Sequence, residues 1–179
     1  MFYPTHMLSE LRRAKKGRTL LTVFGVGLVV TVTALSTGLA SGPGPRLSAS
    51  EYTAQFLTIA QQKRDAEKKL GLDSTPTAKT AKALSSQLEG FSASLTRIGN
   101  EFAALRPPRD AEAANRAVAQ AQRDQATAIR AMLPRISKAK TVKAAITVFA
   151  TDKAYIKGER KQDAALKQLR KLGYLKMGR

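Results

Sequence analysis

The sequence predicts an all-α protein in which an N-terminal transmembrane or signal helix precedes an up-down bundle of about four helices. Residues 19–45 carry no charge over 27 positions, apolar residues from 48 onward recur with helical spacing, and glycine or proline separates the helical stretches. The predicted parts are a basic cytoplasmic region (1–18), a membrane anchor or signal segment (19–41), a Gly/Pro linker (42–47), an exported bundle (48–175) and a tail (176–179).

The apolar segment has the length of a membrane span. Leu20 to Leu39 is 20 residues, enough for a helix to cross the ~30 Å hydrocarbon core of a bilayer. Five Lys and Arg residues lie within Arg12–Arg18, so the positive-inside bias predicts a cytoplasmic N-terminus and an extracytoplasmic bundle. The segment is longer than a typical signal region, which favours an uncleaved anchor. The alternative is secretion after cleavage following Ala40, where Gly38-Leu39-Ala40 forms a small-x-small site.

Composition excludes several kinds of chemistry from the predicted bundle. The chain has no cysteine, and its one histidine, His6, precedes the apolar segment. Cys–His and Ser–His–Asp sites, and metal centres that use thiolate or imidazole ligands, are therefore excluded there. The carboxylates fall at helix caps or off the apolar stripes, where solvated surface is the usual role. We expect no cofactor, no metal site and no enzymatic activity.

The first two helices have clear start signals. Ser48 and Glu51 form a capping box that opens the first helix, and Gly71 ends it. Thr75-Pro76 predicts the start of the second helix, as an N-cap followed by proline. Apolar residues then recur at alternating spacings of three and four until Pro107, which predicts a seam at the core of the bundle. These residues are Ala81, Leu84, Leu88, Phe91, Leu95, Ile98, Phe102 and Leu105.

The third helix is predicted to begin near Asp110 as its N-cap and to stop at Leu133, before Pro134. Its inner stripe is mostly alanine, which lets a neighbouring helix approach closely. Gln125 falls on that stripe and is expected to be a hydrogen-bonded core residue rather than a ligand group.

A fourth helix is predicted to open at Thr141 and to run past Ile156. The later apolar residues point to another side, and Gly158 sits where the phase changes, so we expect a kink or break there. Residues 135–179 hold 13 basic and 3 acidic residues. Five basic side chains fall within an arc of roughly 120°, opposite Ala165, Leu169 and Leu172. They are Lys157, Arg160, Lys161, Lys167 and Lys171.

This basic side is the candidate binding site, for anionic lipid or wall polymer. The simpler interpretation is a packed helix whose outer side is solvated by lysine. A competing function is a carrier or sensor of a small apolar ligand held between helices near Phe91, Phe102 and Phe149. Nucleic-acid binding is a lesser alternative, because the pI of about 10.7 supplies charge but no recognition motif or stacking platform is present. The sequence does not indicate an oligomeric state.

Three runs resemble small, mostly uncharacterised exported helical-bundle proteins of high-GC Gram-positive (actinobacterial) bacteria. They are LSASEYTAQ at 47–55 with Ile59-Ala60 after it, LRPP at 105–108 and LRKLGY at 169–174. Similar members carry one cysteine after that isoleucine and another after the closing Leu-Gly, where this chain has Ala60 and Met177. The resemblance covers most of residues 47–177 and implies the bundle architecture, with no activity and no disulfide in this chain.

Overall fold

The structure, a computed structural model, describes residues 45–71 and 78–175, which form five α-helices and one 3-10 turn without any strand in those ranges. No helix there combines the length and apolar character needed to cross a membrane. The predicted membrane segment 19–41, the site after Ala40 and the tail 176–179 lie outside the described residues. The elements are α1 (Ala49–Leu70), α2 (Ala81–Ala104), the 3-10 turn (Arg109–Ala111), α3 (Glu112–Ser137), α4 (Val142–Ala150) and α5 (Lys153–Lys171).

Both predicted ends of α1 are confirmed. The Ser48 hydroxyl accepts from the Glu51 backbone N–H, while the Glu51 carboxylate accepts from the Ser48 backbone N–H at 2.8 Å. This reciprocal pair satisfies two donors that a helix start would otherwise leave unpaired. Gly71 ends the helix with a φ of 69°, a left-handed conformation that glycine adopts without steric cost.

The seam predicted for the second helix is confirmed, but its predicted start is wrong. Every stripe position from Ala81 to Phe102 is buried, whereas Leu105 is half-buried. The helix begins at Ala81 because Thr80 is its N-cap and accepts from the Ala83 backbone N–H at 3.1 Å. Thr75 and Pro76 lie outside the described residues.

Both predicted ends of the third helix are wrong. Asp110 lies in the 3-10 turn and accepts a hydrogen bond from the Tyr174 hydroxyl at 2.7 Å, and the residue that precedes α3, Ala111, makes no side-chain cap. Pro134 lies inside the helix, which runs on to Ser137. The extra turn places Ile136 in the core with no exposed surface, and that burial offsets the one backbone hydrogen bond that proline cannot donate.

The predicted fourth helix is two helices, and the break is not at Gly158. Thr141 caps α4 as predicted. α4 ends at Ala150, and Asp152 caps α5 by accepting from the Tyr155 backbone N–H at 2.9 Å. Asp152 is a strong N-cap type that the prediction overlooked. Gly158 lies within α5, where it is buried against α3.

The second helix lies at the core as predicted, because α2 packs against α1, α3 and α4. It shares this central position with α3, which packs against α2, α4 and α5. α2 and α3 are antiparallel: Asn115 of α3 donates to the Phe102 carbonyl near one end, and Ser85 of α2 donates to the Leu133 carbonyl near the other. The core has two apolar clusters. One includes Leu84, Leu88, Phe91, Ile129, Met132, Ile136 and Tyr155, and the other includes Tyr52, Phe56, Ile98, Phe102, Val118 and Leu169.

Candidate anionic-surface binding face

All five predicted basic side chains lie on the exposed side of α5. The opposite side of the helix is buried through Tyr155, Gly158, Ala165 and Leu169. Successive residues of an α-helix are ~100° apart, so the five cations share one arc that points away from the bundle. We call this set the α5 basic face: Lys157, Arg160, Lys161, Lys167 and Lys171.

Asp124 of α3 lies at one edge of the α5 basic face. Its Oδ2 is 2.6 Å from Lys161 Nζ, and the charge of Lys157 also acts on its carboxylate. Burial alone would raise the pKa of Asp124, but hydrogen bonds from Lys161 and Gln120 hold that pKa below its ordinary value. Asp124 therefore stays ionised near neutral pH and fixes one edge of the face.

A sixth cation belongs to the same side of the helix and was missed by the sequence prediction. Lys153 lies one helical turn before Lys157 and is exposed. The prediction counted only from Lys157 because it placed the helix break at Gly158. Recognition of Asp152 as an N-cap would have extended the count by one turn.

Leu172 was predicted to oppose the basic residues as part of the buried stripe, and this prediction is wrong. Its side chain is 38% exposed, the only large apolar side chain that is exposed in the described part of the chain. α5 ends at Lys171, and Gly173 turns the chain with a φ of 86°. Leu172 is the C-cap of α5 and keeps helical dihedrals, with its backbone N–H donating to the Gln168 carbonyl. At ~100° per residue it lies about 20° from Lys161, beside the basic arc rather than opposite it.

A polar layer positions α5 against α3 and α1. Gln125, fully buried as the sequence predicts, donates from Nε2 to Gln162 Oε1 at 2.9 Å, which also accepts from Lys63 Nζ at 3.2 Å. A Cβ added at Gly158 would lie only 2.8 Å from Gln125 Cγ, so glycine permits the close approach of the two helices. These contacts hold the buried side of α5 and leave the basic face outward.

The three phenylalanines of the apolar-ligand alternative are divided between the two apolar clusters, with Phe91 and Phe149 in one and Phe102 in the other. Phe102 packs on Phe56 with ring centroids 4.7 Å apart, whereas Phe149 packs on Tyr155 at 4.8 Å in the other cluster. Two open surface grooves of about 600 and 550 Å³ flank α2, and of the three only Phe91 lines one of them. Within residues 45–71 and 78–175, no group of three or more His, Asp or Glu side chains could hold a metal ion.

Comparisons with protein families, with curated proteins and with solved structures found no match to this chain. The resemblance to exported actinobacterial bundle proteins stays a prediction. The functional argument therefore depends on the geometry and charge of the described residues.

Proposed function

We propose that this chain is a non-enzymatic protein of the cell envelope that binds or scaffolds at an anionic surface through the α5 basic face. In this proposal residues 19–41 anchor the chain with the N-terminus in the cytoplasm, and the bundle lies outside. The anionic surface is membrane lipid headgroups or wall polymer. No cofactor takes part.

One observation carries the proposal. The α5 basic face is exposed along the whole helix, and its five cations share one arc from which the carboxylates of α5 are absent. On a surface whose charges only keep the protein soluble, we would expect acidic residues among the lysines. The two carboxylates of α5 itself, Glu159 and Asp163, lie outside the basic arc.

The buried side of α5 limits how such a surface can be bound. Leu169 has no exposed surface and Ala165 is 4% exposed, so the helix cannot insert an apolar side into a membrane as a free amphipathic helix does. Binding would be peripheral and electrostatic. It should weaken as ionic strength rises, because exposed charges are screened over ~8 Å at physiological salt.

The test uses labelled full-length protein in phosphatidylcholine nanodiscs, titrated with phosphatidylglycerol vesicles or with purified anionic wall polymer. The five α5 face residues are changed together to Gln, and binding is expected to fall strongly at low salt. The control changes five exposed cations elsewhere, which alters the net charge equally and should preserve binding. The control residues are Lys68, Lys69, Arg109, Arg116 and Arg130.

Equal loss in both variants would show that net charge, rather than the α5 basic face, attracts the surface. Unchanged binding in the face variant would contradict the proposal. Tight binding of DNA in the same assay, lost in the face variant, would instead support the nucleic-acid alternative.

Protease accessibility tests the orientation. In cells with the wall removed, external protease should digest residues 48–175 while an N-terminal tag stays protected. Protection of the bundle in such cells would contradict the proposed orientation, and release of the bundle into the medium would favour cleavage after Ala40.

A further inference from the structure

A six-residue motif occurs twice in the chain and opens a helix each time. Ala78–Ala83 reads AKTAKA, and Ala139–Ala144 reads AKTVKA. In both copies the threonine is the N-cap: Thr80 accepts from the backbone N–H of Ala83, and Thr141 accepts from that of Ala144, each at 3.1 Å. The copies begin α2 and α4, and each has one lysine directly before its threonine and another two residues after it.

The fold brings the two motifs to the same end of the bundle. The antiparallel pairing of α2 and α3, with Ser85 on the Leu133 carbonyl at 3.4 Å, places the start of α2 beside the end of α3. The second motif follows α3 directly, since the Ala139 backbone N–H donates to the Ile136 carbonyl. The chain enters at the opposite end, where the Leu47 backbone N–H donates to the Arg106 carbonyl.

This end of the bundle carries a dense positive patch, which we call the basic cap. All six of its side chains are exposed. The one carboxylate within residues 78–84 and 133–152 is Asp152, and the one ion pair it makes is with Arg135, at 4.0 Å. The basic cap consists of Lys79, Lys82, Arg135, Lys138, Lys140 and Lys143.

Helix stability explains only part of the basic cap. Arg135 and Lys138 lie at the C-terminal end of α3, where a cation complements the helix dipole. The four motif lysines lie at helix N-termini, where a cation is unfavourable, and neither α2 nor α4 has an acidic residue in its first turn. Packing also fails to explain these lysines, because all four are exposed. An anion bound from outside would offset the repulsion between these lysines and the positive N-terminal ends of α2 and α4.

We infer that the basic cap binds a linear phosphodiester polymer of the cell envelope, an inference that rests on the extracytoplasmic location proposed above. Charge complementarity favours a polyanion, because residues 78–84 and 133–152 together carry six cations and one carboxylate. A polymer fits better than a lipid surface for two reasons. The chain enters the bundle at Pro45, and the basic cap lies at the opposite end. Among the described residues, the cap also has no exposed large apolar side chain to insert into a bilayer, since Leu172 lies at the entry end.

The test measures binding of poly(glycerol phosphate) to full-length protein in phosphatidylcholine nanodiscs over a range of salt concentrations. In the cap variant the four motif lysines are changed to Gln. Each lost phosphate contact should reduce the slope of log affinity against log salt by about 0.7, so the slope should fall by about 3 and affinity at physiological salt by about tenfold or more. The cap variant carries Lys79→Gln, Lys82→Gln, Lys140→Gln and Lys143→Gln.

Four further variants separate the cap from general effects. Changing the four lysines to Arg keeps the charge and should keep binding. Changing Arg97, Arg109, Arg116 and Arg130 to Gln removes the same net charge elsewhere and should leave the slope nearly unchanged. The cap variant should melt at or above the parent temperature, because cations leave helix N-termini. If it does not fold, two half variants, each changing the lysines of one motif, should each reduce the slope by about 1.4.

The outcomes distinguish this inference from the proposed function. Polymer binding that is unchanged in the cap variant, or is lost only in the α5 face variant, would overturn the cap as the binding surface. DNA or anionic vesicles that depend on the cap as strongly as the polymer does would overturn the assigned partner. If the α5 face variant keeps its vesicle binding while the cap variant loses the polymer, the proposed function fails and the cap inference stands.

Discussion

α2 and α5 both pack against α3, but large side chains contribute much more to the α2 contact. α2 buries side chains such as Leu88, Leu95 and Ile98, each at most 1% exposed, and has one close approach, at Gly99, where a Cβ would lie 3.0 Å from the Ala119 carbonyl oxygen. α5 meets α3 through Gly158, where a Cβ would lie 2.8 Å from Gln125 Cγ, and through a hydrogen bond between two glutamines. The α2 contact therefore depends mainly on side-chain volume, and the α5 contact on a glycine and a polar pair.

The difference decides which changes should be harmful. On α2 the loss of volume should leave a cavity, and on α5 the gain of a single methyl group should force neighbours apart. It also explains why one helix was easier to predict: large apolar residues at regular spacing stand out in a sequence, whereas glycine at a close contact reads as a helix break.

The largest expected effect is on the α2 side of this comparison. Leu95→Ala should lower the free energy of unfolding by about 2–5 kcal/mol, because the side chain is fully buried and the core cannot collapse completely into the space. Denaturant unfolding of residues 39–175, followed by circular dichroism, measures it. Ser94→Ala should change little, since Ser94 is only half-buried and its hydroxyl bonds to the Gly90 carbonyl of its own helix. Equal effects at both positions would contradict a large-residue seam.

Gly158→Ala tests the α5 side. The added methyl group meets Gln125 in a fully buried position, so the substitution should destabilise the bundle by about 1–3 kcal/mol despite the better helix propensity of alanine. Gly90→Ala is the matched control, because nothing lies within 4 Å of a Cβ at that helical position. It should stabilise by up to about 1 kcal/mol. Stabilisation by both substitutions would show that α5 does not need the close contact.

Asp152→Ala tests where the last helices separate. Asp152 caps α5 and lies 4.0 Å from Arg135, so its removal should cost about 1 kcal/mol. Asp152→Asn should retain most of the stability, because asparagine also caps well. Backbone chemical shifts of residues 150–156 provide the second measurement. Loss of stability in the Asn variant equal to that in the Ala variant would argue against the cap.

The smallest expected effect concerns the polar residues between the two apolar clusters. Gln122 has no exposed surface, and neither its Nε2 nor its Oε1 has a hydrogen-bond partner. Gln122→Met keeps the side-chain shape and removes that unpaired amide, so stability should rise by about 0.5–1 kcal/mol. Gln125→Met should instead destabilise, because it breaks the bond to Gln162. A loss of stability in Gln122→Met would mean that the amide is paired in solution, for example by a buried water.

Much of the fold was predictable because it depends on neighbours in sequence. The capping box of Ser48, the glycine stop at Gly71 and the cap at Thr141 involve residues a few positions apart. The α2 stripe follows from helical spacing alone. The exposed side of α5 was predicted for the same reason, since an arc of five basic residues cannot be buried without partners.

Other features could not be read from local patterns. Pro134 lies inside α3 because the helix continues to Ile136, which is buried among residues distant in sequence. Asp110 accepts a hydrogen bond from the Tyr174 hydroxyl instead of capping α3. The six cations of the basic cap come from segments more than 50 residues apart in the chain.

The sequence by itself determined that the described bundle is helical, where α1 begins and ends, where α4 begins, and which side of the last helix is basic. These properties depend on hydrogen bonds and side-chain periodicity within a few residues. Only the tertiary structure decided that α3 shares the centre of the bundle with α2, that Gly158 is a contact rather than a break, and that the two AKTxKA motifs share one end of the bundle. Each of these depends on which distant surfaces meet, and the free energy of that packing outweighs local preferences such as the tendency of proline to end a helix.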